Sequence, residues 1–262
     1  MQRPYRLFTL VLSAGLLVLA LAWLREAQQY DPEDSPASTA PSAASLGSRP
    51  VAPAPALSGT RLRGALLRTD DLGSSWGGTQ GAATWRDGLL KGRADRPECQ
   101  ELLDAVYAED LLGEPNGATA VAGFDDTEYG AQVRYQVGAY RKAGVDEKIA
   151  HVGELAGKCQ EFTVAGVGGQ TYGARVEPVE IPPVGDARQA LRLTVGGEEG
   201  NGDALTLDIA ALRVGDGAAL LTHGGLYGIN PETTRHAAEL GARRLQQAVS
   251  PPPSPTPARP SG

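Results

Sequence analysis

The side chains of this 262-residue chain with the types to do chemistry are few: three histidines, two cysteines and a handful of paired acids. His151, His223 and His236 fall on separate segments, and no HExxH, GxSxG, Walker-type loop or kinase signature accompanies them. His223 ends an apolar run and precedes Gly224-Gly225, where it could face a cleft; a lone histidine is more often structural or solvated. A hydrolase built on it would need an acid and a hydroxyl brought to it from elsewhere in the chain. The pairs Asp70-Asp71, Asp125-Asp126 and Glu198-Glu199 lack the alternating oxygen ligands of a calcium loop and read as solvated loop charge. Gly166-Val167-Gly168-Gly169 lacks full GxGxxG spacing and leads into a strand, so it reads as a connection between strands. Tyr107, Tyr129, Tyr135, Tyr140, Tyr172 and Tyr227 could line an apolar groove, although core packing accounts for most of them. The candidate ligand contacts are therefore His223, Tyr135 and Tyr227, with no catalytic set, metal site or cofactor expected.

Cys99 and Cys159 are the only cysteines and lie 60 residues apart, without a nearby histidine or further cysteine to complete a zinc site. Neither sits in a nucleophile motif. An even count in an exported domain favours a disulfide between them.

Export follows from the N-terminal segment. Leu7 to Leu24 is apolar apart from Thr9, Ser13 and Gly15, with Arg3 and Arg6 in front. Eighteen helical residues span about 27 Å, close to the hydrocarbon thickness of a bilayer. Ala20-Leu21-Ala22 fits a small-x-small cleavage site, while Trp23 and Arg25 equally suit the interfacial end of an anchor. Residues 1–24 are thus a signal peptide or a transmembrane anchor. In either case the rest is expected outside the cytoplasm, secreted or held at the extracellular face of the cell membrane by residues 7–24.

Composition shifts mark the remaining boundaries. Of 19 prolines, six lie between Pro32 and Pro55 and six between Pro251 and Pro260. Residues 25–57 read as a disordered Ala/Pro/Ser spacer and residues 250–262 as a Pro-rich tail, since neither buries enough apolar surface to offset chain entropy. The folded unit is residues 58–249, with 19 basic and 27 acidic side chains, a net −8 against −7 for the whole chain. That balance lacks the basic stripe a nucleic-acid binder needs.

Within the unit, Ser58 is expected to cap a short helix through Leu67, Gly73 to Gly92 to form loop or ragged strand, and Asp95 to cap a helix opened by Pro97 and stopped by Glu114-Pro115-Asn116-Gly117. Strands are expected at 118–124 and 128–140, a helix at 145–158, and a strand starting at Cys159. Four further strands are expected at 171–181, 188–195, 203–214 and 218–227, with an Asp-Gly hairpin signal at Val214-Gly215-Asp216-Gly217. Asn230-Pro231-Glu232 opens the last helix. Helices and hairpin-linked strands come in blocks, which gives the α+β class: a twisted, mainly antiparallel sheet flanked by helices.

The order of these features resembles the extracellular sensor domain of PknH-like kinases and related actinobacterial sensor-domain proteins. The resemblance is carried by Leu66-Leu67-Arg68-Thr69-Asp70-Asp71-Leu72-Gly73 with Trp76, by Cys99 at a helix start, and by Lys158-Cys159-Gln160-Glu161-Phe162. Gly185-Asp186-Ala187, Leu212-Arg213-Val214-Gly215-Asp216 and an Ala/Leu/Arg-rich closing helix continue it. It implies a twisted antiparallel sheet with flanking helices and a cleft for an extracellular ligand. Two departures stand out: family members in kinases carry two disulfides where this chain can form one, and no cytoplasmic kinase is expected before the membrane run. The expected function is a non-enzymatic domain that binds a small molecule, lipid or cell-envelope component. The alternatives are an interaction module for an envelope partner, with the Pro-rich tail as a contact, and a hydrolase with an unrecognised site.

Overall fold

The computed structural model describes residues 57–83, 85–196 and 205–250. The apolar run 7–24, the spacer up to residue 56, Glu198-Glu199 and the tail from Pro251 lie outside the described residues. Among the described residues no helix is long and apolar enough to cross a membrane.

The chain opens with α1 (Gly59–Gly64), where the Ser58 hydroxyl accepts from the Arg61 N–H and caps the helix as its sequence predicts. The next segment is more ordered than its glycine content suggests. It forms β1 (Trp76–Gly78) and a π-helical turn at Arg86–Leu90 that buries Leu89 and Leu90, with Trp85 buried just before it. After β2 (Arg93–Ala94) comes α2 (Pro97–Ala108), with Pro97 in its first turn. Asp95 does not cap α2. The pairing of Ala94 with Val164 brings Asp95 beside Thr163, whose N–H donates to the Asp95 carboxylate at 3.0 Å, and the N-cap position falls to Arg96. The helix also stops short of Glu114. Glu109 turns left-handed at φ 61°, held by ion pairs to Arg86 (3.1 Å) and Arg134 (2.6 Å), so Leu111 reaches the core from beyond the helix.

β3 (Thr119–Asp126), β4 (Gln132–Ala139), α3 (Lys142–Lys158), β5 (Phe162–Ala165), β6 (Thr171–Pro178), β7 (Ala187–Val195), β8 (Leu205–Val214), β9 (Gly217–Gly225) and α4 (Pro231–Val249) follow. Gly166 to Gly169 connects β5 to β6, as its spacing implied. The β8–β9 hairpin closes around Gly215-Asp216, with Val214 paired to Gly217. The positive φ falls on Gly215 (57°), so glycine at the first loop position makes the turn and the Asp-Gly step follows it.

The nine strands form one open antiparallel sheet in the order β1-β3-β4-β9-β8-β7-β6-β5-β2, and with the helices this is an α+β fold. The edges are the three-residue β1 and the two-residue β2, too short to template pairing with another chain. Central strands β8 and β9 are buried on both faces, which explains their nearly continuous apolar sequence. One face packs Leu193, Leu207 and Ile209 against α2 and α3. The other packs Val133, Tyr135, Leu212 and Leu221 against α1 and α4. Cys99 at the start of α2 and Cys159 just past α3 form a fully buried disulfide with Cα atoms 5.6 Å apart.

Candidate functional site

On the α4 face of the sheet, side chains at the N-terminal end of α4 change from apolar to polar. Arg192, Asp208, His223 and Val133 are consecutive cross-strand partners on β7, β8, β9 and β4. Arg192 grips Asp208 through two hydrogen bonds of 2.7 and 3.0 Å, and this bidentate partner holds the guanidinium pKa above its ordinary value. Thr234, in the first turn of α4, donates its hydroxyl proton to the Asp208 carboxylate at 2.8 Å. Its oxygen lies 3.0 Å from His223 Nδ1. Because the only Thr234 proton goes to Asp208, the imidazole must donate from Nδ1, and the neutral ring keeps its lone pair on Nε2. Asp208, His223 and Thr234 are each 1% exposed. Burial drives the His223 pKa down to about 4, against the smaller opposing pull of Asp208 and Asp126.

His223 lies in the wall of a cavity of about 540 Å³ between the β1–β3 edge and the loop leading into α4. Trp76 meets its ring edge-on, with centroids 5.7 Å apart. Trp76 stands opposite Asp126 in the β1–β3 ladder, so sheet register places both in the same wall. Tyr129 enters from the β3–β4 turn, Tyr227 and Asn230 from the approach to α4, and Thr233 from its first turn. The Asn230 side chain caps α4 by accepting from the Glu232 N–H at 3.0 Å.

Two of the three ligand candidates read from the sequence, His223 and Tyr227, thus come together in one wall. Tyr135 does not join them: it is fully buried beneath α4 against Gly241, and burial pushes its phenol pKa up. Tyr140 is also core, whereas Tyr129 and Tyr227 are exposed. His151 on α3 lies between Glu101 and Glu154, and His236 is exposed on α4, so the histidines remain apart.

Asp70 is exposed as expected, whereas Asp71, Asp125 and Asp126 depart from the solvated role. Asp71 forms a bidentate ion pair with Arg244 on α4, and burial's upward push on its pKa is outweighed by that partner and the Arg68 N–H, leaving it below the carboxylate range. Asp125 likewise resists burial by accepting from Thr79, Gln80 and Gln132, and its pKa falls. Asp126 is only 7% exposed. The sheet edge explains all this: acids that look like loop residues end β3 or dock under α4. Among the described residues no group of three or more His, Cys, Asp or Glu could hold a metal ion.

Asp208, Arg192 and Thr234 were not singled out by sequence reasoning. A signal existed for Asp208: it interrupts the apolar run LTLDIAALRV of doubly buried β8, and a charge there must find a partner.

No protein-family model and no curated protein matches the chain. A solved structure that it does match is the extracellular domain of PknH from Mycobacterium tuberculosis, at 19% sequence identity and a TM-score of 0.43, over 77% of this chain and 98% of that one. The finding is a structural likeness.

Proposed function

We propose that this chain is an exported, membrane-tethered or secreted domain that binds an envelope or extracellular small molecule without transforming it. The observation that carries this is the cavity at the N-terminus of α4, with aromatic walls from Trp76, Tyr129 and Tyr227 and fixed polar groups from His223, Asp126 and Asn230. Concave sites with an apolar lining and a few placed polar atoms are where small ligands bind. The buried Cys99–Cys159 disulfide and the apolar run 7–24 support export, and the same run would be the contact with the cell membrane.

The Asp208–Thr234–His223 chain also favours a second reading, a hydrolase using His223 as base, because it joins the acid, hydroxyl and imidazole such an enzyme would need. Its order argues for binding instead. Thr234 sits between acid and ring, is 1% exposed, and has its proton committed to Asp208, so it is a strut and not a nucleophile. Among the described residues no hydroxyl or thiol is hydrogen-bonded to Nε2.

Native mass spectrometry of the chain purified from its own host tests the proposal. A retained small molecule is expected, and it is expected to be lost in Tyr227→Ala, whose side chain is 81% exposed and dispensable for packing. A bare wild-type chain, or a retained mass indifferent to this substitution, would count against the cavity as the ligand site.

A further inference from the structure

Among the described residues that line the cavity, Asp126 is the only charged side chain while His223 is neutral. One carboxylate oxygen, Oδ1, accepts from the Glu128 N–H at 3.0 Å, and among the described residues no Lys, Arg or His forms an ion pair with either oxygen. Asp126, a residue only 7% exposed, thus turns a carboxylate without a cationic partner toward the cavity, and a positive group there would complement it. The same cavity is lined by three electron-rich rings, Trp76, Tyr129 and Tyr227, of which the two tyrosines are 66% and 81% exposed. Exposed aromatic faces beside a carboxylate suit a cation, which rings attract through their quadrupole.

The alternatives fit less well. An anion would meet the full charge of Asp126 with no cationic side chain among the lining residues, only the partial positive charge at the α4 N-terminus, to offset it. A metal ion such as calcium would need several oxygens where one carboxylate is available. His223 offers no repulsion, since burial holds its pKa near 4 and the ring is uncharged at neutral pH. The net −8 of the folded unit also raises the local concentration of cations.

We infer that the cavity takes an organic cation, an ammonium group seated against Asp126 among Trp76, Tyr129 and Tyr227; this rests on the cavity being the ligand site proposed above.

Isothermal titration of the full-length chain with choline and with 3,3-dimethylbutan-1-ol, its uncharged isostere, tests the charge requirement. Choline is expected to bind at least several-fold more tightly than the alcohol. Asp126→Asn keeps an oxygen for the Glu128 N–H and is expected to weaken choline roughly tenfold or more while leaving the alcohol unchanged. Tyr129→Leu, at an exposed position that does not threaten folding, is expected to weaken choline about two- to fivefold. Equal affinity for the two probes, no effect of both substitutions, or no choline binding at tens of millimolar overturns the cation assignment. The ligand site itself falls only if the host-purified chain is also bare by mass spectrometry, or if its retained mass is indifferent to Tyr227→Ala.

Discussion

His223 joins the two properties of this site, a rigid hydrogen-bond chain and a pH-sensitive charge. Its pKa is about 4 in the folded protein and near 6.5 when unfolded, so between those values the unfolded chain binds the extra proton. Stability should therefore be level with respect to this group above pH 6.5. It should fall as pH drops from 6.5 to 4, at up to about 1.4 kcal/mol per pH unit and on the order of 3 kcal/mol in total. Asp71 and Asp125 have the opposite assignment of charge, with folded pKa values below the usual 3.8, and their contributions are lost only at still lower pH. The windows are separable. Urea unfolding of His223→Gln across pH 4 to 6.5 should give a flatter profile than wild type, and identical slopes would mean that His223 is protonated as readily in the fold as outside it.

At the scale of elements, α4 decides how deep the cavity is, because its first turn is pinned by Thr234 and its body lies on the sheet. Close approach is permitted by a run of small residues, Ala237, Ala238, Gly241, Ala242 and Ala248. Gly241 is the tightest of these: a Cβ there would lie 2.6 Å from the hydroxyl of the fully buried Tyr135 and 2.7 Å from Cζ of its ring. Alanine would normally favour the helix by up to about 1 kcal/mol. Here overpacking should outweigh that gain, and Gly241→Ala is expected to destabilise by about 1–2 kcal/mol in equilibrium unfolding. A gain in stability would show that α4 rides further from β4 than the structure places it. The far end of α4 is tied down by Arg244, which bonds both Asp71 and the Leu66 carbonyl and so fixes the segment leading to β1 and Trp76.

For the whole molecule, the sheet is built from long-range antiparallel pairings, and the disulfide joins the two helices on the face opposite the cavity. Closing a loop of 60 residues constrains the unfolded chain by about 4 kcal/mol on chain-entropy grounds. The double variant Cys99→Ser, Cys159→Ser is expected to lose roughly that much in urea unfolding at neutral pH. Ligand binding per molecule that remains folded should be unchanged, because neither cysteine touches the α4 face. A loss of binding without a loss of stability would mean that the two faces are coupled.

The α+β class, the alternation of Val133, Tyr135 and Val137 in β4, and the cap at Asn230 were all legible in the sequence, because periodicity and capping are local properties. His223 and Tyr227 could be singled out by type and setting, but their common wall could not. Tyr129 and Tyr135 share the alternation expected of a strand over 128–140, yet β4 begins only at Gln132, so Tyr129 falls in the β3–β4 turn at the cavity rim while Tyr135 is core under α4. Asp126 looked like solvent-exposed charge until the β1–β3 register set it opposite Trp76, and Asp208 needed partners 16 and 26 residues away to become intelligible. Local sequence by itself determined the elements and the cysteine pair available for a bridge. Which side chains share a wall was decided only by strand order and register, since cross-strand neighbours are set by pairing across the sheet and not by distance along the chain.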